Sequence, residues 1–348
     1  MSLRASAGTV SRSLTESTIP LILSQFRSGS LDRSPARLLR MSVAIPVHNE
    51  EELLADCLRG LKAQVDRRGD PLDPDLFEVI LMVNNSTDRS TEIAHRFASR
   101  HPELPLHIID IVLAPRHAHV GWARRLAMEE ALSRFRYLRK PNGVIATTDA
   151  DTVVAPDWVA ATLAEVDAGA EGVGGKLMLP PVSLLDADPR LRDAALRHRR
   201  YERLTHRLAS LYDPEPLEHW PRHGDHGGAS LAATAHADAR VGGMPAIATG
   251  EDQAFHARLK QTGARFRHSE RVRVFTSDRQ DGRAAGGMAA TLAEWRSALA
   301  NGNDILVECP DAVVGRLTGK LGEGGAGANR VPLDEALPAF GGKVAALR

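Results

Sequence analysis

The sequence lacks three features that would assign it to a special class of protein. Its two cysteines, Cys57 and Cys309, lie far apart and match no metal-binding spacing, so we expect two reduced thiols, as in cytoplasmic proteins. The 44 basic residues balance the 44 acidic ones, which gives no indication of nucleic-acid binding. No apolar run approaches the roughly 18 residues that a membrane-spanning helix needs, so no transmembrane segment is predicted.

The two ends of the chain differ in composition from its middle. Residues 1–40 are rich in Ser and Arg and poor in acids. A transit peptide, a disordered extension and a misplaced start upstream of Met41 would each look like this, and disorder or a misplaced start is preferred. Residues 301–348 are predicted to be a flexible tail, with the glycine-rich run 322–329 as a linker. One main domain is therefore expected over about 41–300.

Predicted strands and helices alternate along this domain. They are strands 42–47, 77–83, 106–113 and 143–148 and helices 50–65, 90–100 and 121–135. Such alternation predicts a parallel sheet with helices on both faces. Ligands of these sheets bind at the carboxyl ends of the strands, so the chemistry is expected in the loops that follow them.

The tripeptide Asp149-Ala150-Asp151 follows the fourth predicted strand and is the strongest chemical signal. Residues two apart on a strand point to the same face, about 7 Å apart, and a bend at the strand end brings both carboxylates toward one ion. Adjacent carboxylates repel each other unless a cation compensates them. Mg²⁺ and Mn²⁺ suit carboxylate oxygens and also hold phosphates. The pair is a candidate metal site, with two exposed turn aspartates as the alternative.

Five motifs in a fixed order resemble family 2 glycosyltransferases of the GT-A fold. They are VAIPVHNEEELLADCL at 43–58, NNSTDRST at 84–91, GWARRLAM at 121–128, TTDADTVVAPDWV at 147–159 and GEDQAFHARL at 250–259. A weaker one, TSDRQDGRAAGG, lies at 276–287. The resemblance implies a Rossmann-like, mostly parallel α/β sheet with a C-terminal acceptor-side region. It divides the domain into a nucleotide-binding half, 41–155, and an acceptor half, 156–300.

The resemblance also implies which loops hold a nucleotide-diphosphate-sugar donor. The loop after the first strand makes Pro46, His48 and Glu50 donor-binding candidates, although Asn49 followed by Glu50–Glu52 would also suit a plain helix start. Asn85 is a further donor candidate. It and Asn84 stand where the family commonly has acidic residues, which argues against a uridine donor.

Contacts to the donor phosphates are assigned to cations and to the metal pair. Arg124, near a predicted helix start, has the guanidinium geometry that suits phosphate oxygens. Asp149 is both a donor-binding and a metal candidate, and Asp151 is the main metal ligand. Arg279 and Arg283 lie in a glycine-rich loop that would close over the phosphates, with plain surface charge as an equal alternative.

Glu251 and Asp252 open a predicted helix and are the catalytic candidates. As the helix start alone, they would answer the helix dipole. The resemblance assigns a carboxylate here to the general base of inverting transfer, which takes the proton of the acceptor hydroxyl. We assign that role to Asp252, with Glu251 positioning the acceptor or the loop. For Asp88, capping of the helix predicted over 90–100 is preferred to a ligand contact.

A basic amphipathic helix is predicted over 188–212, with seven arginines beside its apolar stripe. It packs on the sheet as a surface helix or binds an anionic acceptor or the membrane surface. The function predicted from the residues and the resemblance is metal-dependent transfer of a sugar to an unidentified acceptor: a glycan, a lipid or a small metabolite. The alternatives are a retaining transferase, a nucleotidyltransferase and a non-catalytic binding protein.

Overall fold

The structure of the chain is a computed structural model. It describes residues 12–13, 34–180, 188–212, 217–277, 279, 288–319 and 330–346. The chain divides into two compact units. The first comprises Met1–Met178, His226–Phe266 and Arg271–Thr276, and the second comprises Leu179–Asp225, Arg267–Glu270 and Ser277–Arg348. Within the described ranges, no helix is both long enough and apolar enough to cross a bilayer.

The described strands form one large sheet and one small one. The strands are β1 (Arg12–Ser13), β2 (Met41–Val47), β3 (Phe77–Asn84), β4 (Leu106–Val112), β5 (Val144–Thr147), β6 (Thr152–Val154), β7 (Gly172–Met178), β8 (Leu231–Thr234), β9 (Phe266–Thr276), β10 (Leu306–Glu308) and β11 (Arg330–Pro332). The large sheet has the order β1-β4-β3-β2-β5-β8-β7-β9-β6. The pairs from β1 to β5 are parallel. Strands β8 and β6 pair with their neighbours in the antiparallel direction.

Ten helices are described outside the short 3₁₀ turns. They are α1 (Leu54–Lys62), α2 (Ser90–Arg100), α3 (Val120–Leu138), α4 (Trp158–Asp167), α5 (Pro189–Tyr212), α6 (Ala235–Val241), α7 (Glu251–Gln261), α8 (Met288–Ala300), α9 (Pro310–Leu317) and α10 (Leu333–Ala346). The four predicted strands and the predicted helices of the first unit are confirmed, with most ends within three residues of the predicted ones.

The central parallel strands β2 and β3 are buried on both faces, as their mostly apolar runs predict, whereas β4 is only partly buried. Every residue of β2 and β3 is buried. Successive side chains of a strand point to opposite faces, so Val43 and Leu81 join a core with α1, α2 and α4, whereas Ala44 and Met82 join a core with α3, α6 and α7. Burial on both sides fixes the register of these strands and therefore the place where each strand ends.

The second unit has its own core, and here the sequence-based prediction of a flexible tail over 301–348 is wrong. Strands β10 and β11 pair in the antiparallel direction, and α9 and α10 follow them. Leu333 and Phe340 of α10 are fully buried in a cluster with Tyr201 and Leu208 of α5. Strands β10 and β11 have three residues each and α9 has eight, which is too short for periodicity to predict them. The burial of the longer α10 depends on the distant helix α5. The predicted linker 322–329 lies outside the described residues.

Candidate active site

The loops that follow β2 and β3 are bonded to each other through Asn49. Its backbone has a left-handed φ of 52°. Its N–H donates to Ser86 Oγ at 3.1 Å, and its side-chain oxygen accepts from the N–H of Thr87 at 2.7 Å. The prediction that Asn49 caps the next helix is therefore wrong. Its side chain bonds to the neighbouring loop instead, and helix α1 begins at Leu54.

Asp88 completes this cross-link at the start of α2. Its two carboxylate oxygens accept from the N–H groups of Ser90 and Glu51, each at 2.9 Å. The Ser90 hydroxyl in turn accepts from the N–H of Glu50 at 2.7 Å. The prediction that Asp88 serves the helix start is confirmed. Both loops are thereby held at the carboxyl end of the parallel strands.

The predicted donor-binding residues of the first loop lie in different surroundings. Pro46 is buried inside β2, which continues to Val47. His48 is exposed, and its Nδ1 lies 2.8 Å from the carbonyl oxygen of Asn84. The Glu50 side chain is buried. Of the three, His48 offers the most surface to a ligand at this edge of the sheet.

Asn85 uses its side-chain amide on both sides, as an amide can. Its Nδ2 donates to the carbonyl oxygen of Leu113 at 3.0 Å, and its Oδ1 accepts from the N–H of Leu113 at 2.9 Å. The amide therefore joins the ends of β3 and β4. A carboxylate at this position could not donate to the carbonyl oxygen, which gives this asparagine a structural reason of its own.

A buried arginine connects the two acidic motifs. Arg124, on the first turns of α3, is only 3% exposed. Its Nη2 donates to Asp149 Oδ1 at 2.7 Å and its Nε donates to Glu251 Oε1 at 3.1 Å. Its Nη1 donates to Thr147 Oγ1 at 2.7 Å and to the carbonyl oxygen of Gly228 at 3.0 Å. Asp149 and Glu251, which are 102 positions apart in the sequence, thus bond to the same guanidinium.

The oppositely charged groups of this cluster shift one another's pKa values toward the charged forms. Burial alone would lower the pKa of Arg124, but the carboxylates of Asp149 and Glu251 raise it, with a smaller contribution from Asp252. Burial raises the pKa of Glu251, and Arg124 opposes that rise. Asp252 therefore belongs to the same electrostatic cluster. Sequence reasoning did not single out Thr147 and Gly228, whose only sequence signals are a strand-end threonine and a glycine pair.

Asp252 lies at the first turn of α7, as predicted, and is partly exposed. Its Oδ2 accepts from the N–H of Gly228 at 2.7 Å and its Oδ1 accepts from the N–H of Gln253 at 2.7 Å. Each carboxylate oxygen can accept more than one hydrogen bond. The carboxylate is therefore held in place by the backbone while it keeps capacity for a hydroxyl proton.

Asp149 and Asp151 form the turn between β5 and β6, and both are partly exposed. Their negative charge acts on the nearby Cys57 thiol. Its pKa is raised mainly by burial and further by the charges of Asp151 and Asp149. Within the described residues, no third carboxylate or imidazole completes a three-ligand cluster with them. One oxygen of Asp149 accepts from Arg124, which leaves its other oxygen and the carboxylate of Asp151 as possible metal ligands. One or two carboxylates suit a hard divalent ion that takes its other ligands from phosphate and water.

The remaining two candidates belong to the glycine-rich loop of the second unit. The N–H of Arg279 donates to Ser277 Oγ at 3.2 Å. Arg283 lies outside the described residues. Their predicted contacts with the donor phosphates stay predictions.

Comparison with known proteins identifies the family. A family model described as glycosyl transferase family 2 matches residues 42–215. No curated protein matches the sequence. Among solved structures, the chain is similar to S. aureus TarS 1-349, with 16% identity and a TM-score of 0.44 over 70% of this chain and 62% of that one. It is also similar to the mannosyltransferase PcManGT from Pyrobaculum calidifontis in complex with GDP-Man and Mn²⁺. That match has 19% identity and a TM-score of 0.46 over 95% of this chain and 88% of that one.

The chain thus spans less than two thirds of the TarS fragment. The predicted fold class is confirmed by the mixed sheet, parallel from β1 to β5 and covered by helices on both faces. The family match covers half of the 348 residues and includes the Asp149–Asp151 turn and Arg124. The chain belongs to glycosyl transferase family 2.

Proposed function

We propose that this glycosyltransferase moves a sugar from a nucleotide-diphosphate sugar to an acceptor hydroxyl, with inversion at the anomeric carbon and with the help of a divalent metal ion. One observation carries the proposal. A single buried guanidinium joins the Asp149 turn to Glu251, beside Asp252, at the carboxyl end of the parallel strands. This is the edge of an open α/β sheet at which ligands bind.

Asp252 is the proposed general base. Its carboxylate takes the proton of the acceptor hydroxyl while that oxygen attacks the anomeric carbon. The bond between the anomeric carbon and the phosphate oxygen breaks, and the nucleoside diphosphate leaves with the electron pair. The backbone N–H groups of Gly228 and Gln253 keep the carboxylate oriented for this transfer. Glu251 positions the acceptor side of the site through its bond to Arg124.

Asp149 and Asp151 are the proposed ligands of Mn²⁺ or Mg²⁺. Such an ion supplies positive charge against the leaving diphosphate. Donor contacts are proposed for Pro46, His48, Glu50 and Asn85, a contact through the metal ion for Asp149, and phosphate contacts for Arg279 and Arg283. Arg124 serves the donor site indirectly, through its bonds to Asp149 and Glu251. The acceptor is a hydroxyl compound, whether glycan, lipid or small metabolite.

Replacement of Asp151 by alanine is expected to abolish metal-dependent nucleotide binding. A ligand at 100 times its Kd stabilises the folded state by about 2.7 kcal/mol, which raises the Tm by roughly 5 °C or more for a domain of this size. A thermal-shift screen of nucleoside diphosphates and their sugars, with and without Mn²⁺, measures this effect. The wild-type protein should gain the shift only with metal, and Asp151→Ala should show none.

Asp56→Asn is the matched control, since this exposed aspartate lies on α1 and pairs with Arg59. It should keep the full metal-dependent shift. Equal shifts in Asp151→Ala and wild type would contradict the metal assignment. NMR of the product then separates the alternatives: an inverted anomer supports the proposal, a retained anomer indicates a retaining transferase, and release of pyrophosphate indicates a nucleotidyltransferase.

We also propose that helix α5 contacts an anionic membrane surface at the periphery. Arg197 does not serve this contact, because it pairs with Asp193 and Asp334 inside the second unit. At about 3.6 residues per turn, the outward sector of the helix is mainly basic, with Asp193 at its border. It carries Leu196, which is 56% exposed, and the arginines Arg192, Arg199, Arg200 and Arg203. The guanidinium of Arg207 lies over the ring of Trp220. Basic residues beside an exposed apolar side chain are typical of interfacial helices.

Reversal of three of these charges is expected to release the protein from anionic vesicles. Each arginine near such a surface contributes about 1 kcal/mol, so the triple variant Arg199→Glu, Arg200→Glu and Arg203→Glu should bind phosphatidylserine-containing vesicles at least about 100-fold more weakly. Co-sedimentation with these and with phosphatidylcholine vesicles measures it. The control triple variant Arg67→Glu, Arg68→Glu and Arg100→Glu has the same net charge and should bind as wild type. Equal loss in both variants would reduce the effect to net charge.

A further inference from the structure

We infer that Arg124 is a positioning residue that sets the metal turn and the catalytic carboxylate together. The inference rests on the proposed function and deepens it. A guanidinium has five N–H groups, and Arg124 donates four hydrogen bonds to protein acceptors. Their acceptors are the side chains of Asp149, Glu251 and Thr147 and the carbonyl oxygen of Gly228. A guanidinium bonded in this way acts mainly on protein groups.

The strand side of this network is rigid. Thr147 Oγ1 accepts from Arg124 and donates to the carbonyl oxygen of Ala44 in β2 at 2.8 Å. Thr147 itself is fully buried at the end of β5. Arg124 is therefore anchored to two central parallel strands, and its bond to Asp149 transfers that anchoring to the turn that carries the proposed metal ligands.

Gly228 carries the connection from Arg124 to Asp252. Its carbonyl oxygen accepts from Arg124 Nη1, and its N–H donates to Asp252 Oδ2. A Cβ atom at residue 228 would lie 2.5 Å from Nη2, so the glycine lets the loop lie directly on the guanidinium. The orientation of the proposed base thus depends on the arginine through a single residue.

Removal of the guanidinium would leave the buried Glu251 and the partly exposed Asp149 without their common counter-charge. Like charges in a poorly solvated site repel and disfavour burial. The Asp149 turn and the Gly228 loop would then lose their shared support. A direct phosphate ligand would behave differently, because its removal weakens donor binding and leaves the positions of Asp149 and Asp252 unchanged.

The test compares Arg124→Gln with Arg124→Lys and with the double variant Arg124→Gln, Glu251→Gln. The double variant removes the uncompensated buried charge and so keeps a folded protein available. Arg125→Gln, at the next residue of α3, is the control. Its side chain bonds to the carbonyl oxygen of Met244 and to Glu129.

We expect Arg124→Gln to lower kcat by about 100-fold, since a misplacement of about 1 Å can cost this much. The KM for the nucleotide sugar should change less than threefold, and the affinity for Mn²⁺ should fall about tenfold or more, as for other groups that orient metal ligands. Arg124→Lys, which keeps the charge, should recover part of kcat. Amide hydrogen exchange in peptides that contain Gly228 should become at least tenfold faster in Arg124→Gln, and not in the control.

A rise in KM with unchanged kcat would overturn the inference in favour of direct donor binding. Unchanged exchange at Gly228 would overturn it as well, whatever the activity. If the wild-type protein transferred no sugar from any nucleotide donor, the proposed function would fail. The exchange measurement would still decide the role of Arg124, since it requires neither substrate nor metal.

Discussion

Replacement of Asp252 by asparagine is expected to lower the turnover of the enzyme by about 10²- to 10⁴-fold, the usual contribution of a general base. Asparagine has nearly the same shape, and its one oxygen can keep a bond from the N–H of either Gly228 or Gln253, but it cannot take a proton from a hydroxyl. Only about 1 kcal/mol of stability should be lost with the second bond. Release of nucleoside diphosphate at saturating nucleotide sugar measures the turnover.

Donor binding separates a lost base from a damaged site. The thermal shift given by the nucleotide sugar with Mn²⁺ should be the same in Asp252→Asn as in wild type, because the proposed base faces the acceptor. Glu251→Gln should lower both activity and stability, since it breaks the bond to the buried Arg124. A turnover of Asp252→Asn within a few-fold of wild type would contradict the assignment. It would favour a retaining mechanism, in which this residue is not a base.

The parallel half of the sheet could be predicted because each strand is a mostly apolar run. Strands buried on both faces have this signature, and Phe77–Asn84 shows it apart from Glu78 and the final Asn84. The antiparallel strands β7 and β8 could not be predicted in the same way. Gly172–Met178 contains three glycines, and Leu231–Thr234 is four residues long. Their pairing depends on β5, which is remote in the chain.

Candidate site residues could be named from the sequence, but their partners could not. A strand end predicts that Asp149 lies at the ligand-binding edge, and a helix start predicts the same for Asp252. Nothing near Arg124 in the chain shows that it is buried or that it bonds to Glu251. Long-range hydrogen bonds between loops decide such roles, as they do for Asn49, whose predicted capping role was overridden by Ser86 and Thr87.

A carboxyl group outside the hydrogen bonds of the active site makes stability depend on pH above about pH 4. Asp238 of α6 is 1% exposed, and neither of its carboxylate oxygens has a hydrogen-bond partner among the described residues. Burial and then the charge of Glu129 raise its pKa from 3.8 to about 7, against the weaker opposing effects of Arg125 and Arg136.

All three of these charged neighbours lie on α3. Helix α6 also packs against α7, β5 and β8. The two strands carry no titratable side chain, and no charged residue of α7 contributes to the raised pKa. The folded protein therefore holds a proton on Asp238 that the unfolded chain releases near pH 4. Because the folded state binds this proton more tightly, the contribution of Asp238 to stability is greatest below about pH 4 and is lost as the pH rises from about 4 to about 7.

Asp238→Asn is expected to remove this loss of stability. One pH unit corresponds to about 1.4 kcal/mol, so ionisation of Asp238 in the folded state costs on the order of 4 kcal/mol. The free energy of unfolding of the variant, relative to wild type, should grow by roughly 3 kcal/mol between pH 5 and pH 8. Urea unfolding at both pH values measures it.

Glu129→Gln, which removes one of the two causes, should give a smaller change of the same sign. A difference between Asp238→Asn and wild type that is the same at pH 5 and pH 8 would mean that Asp238 is ionised in the folded protein. Since an ionised carboxylate is expensive to bury without a counter-charge, that result would mean that Arg125 and Arg136 compensate its charge.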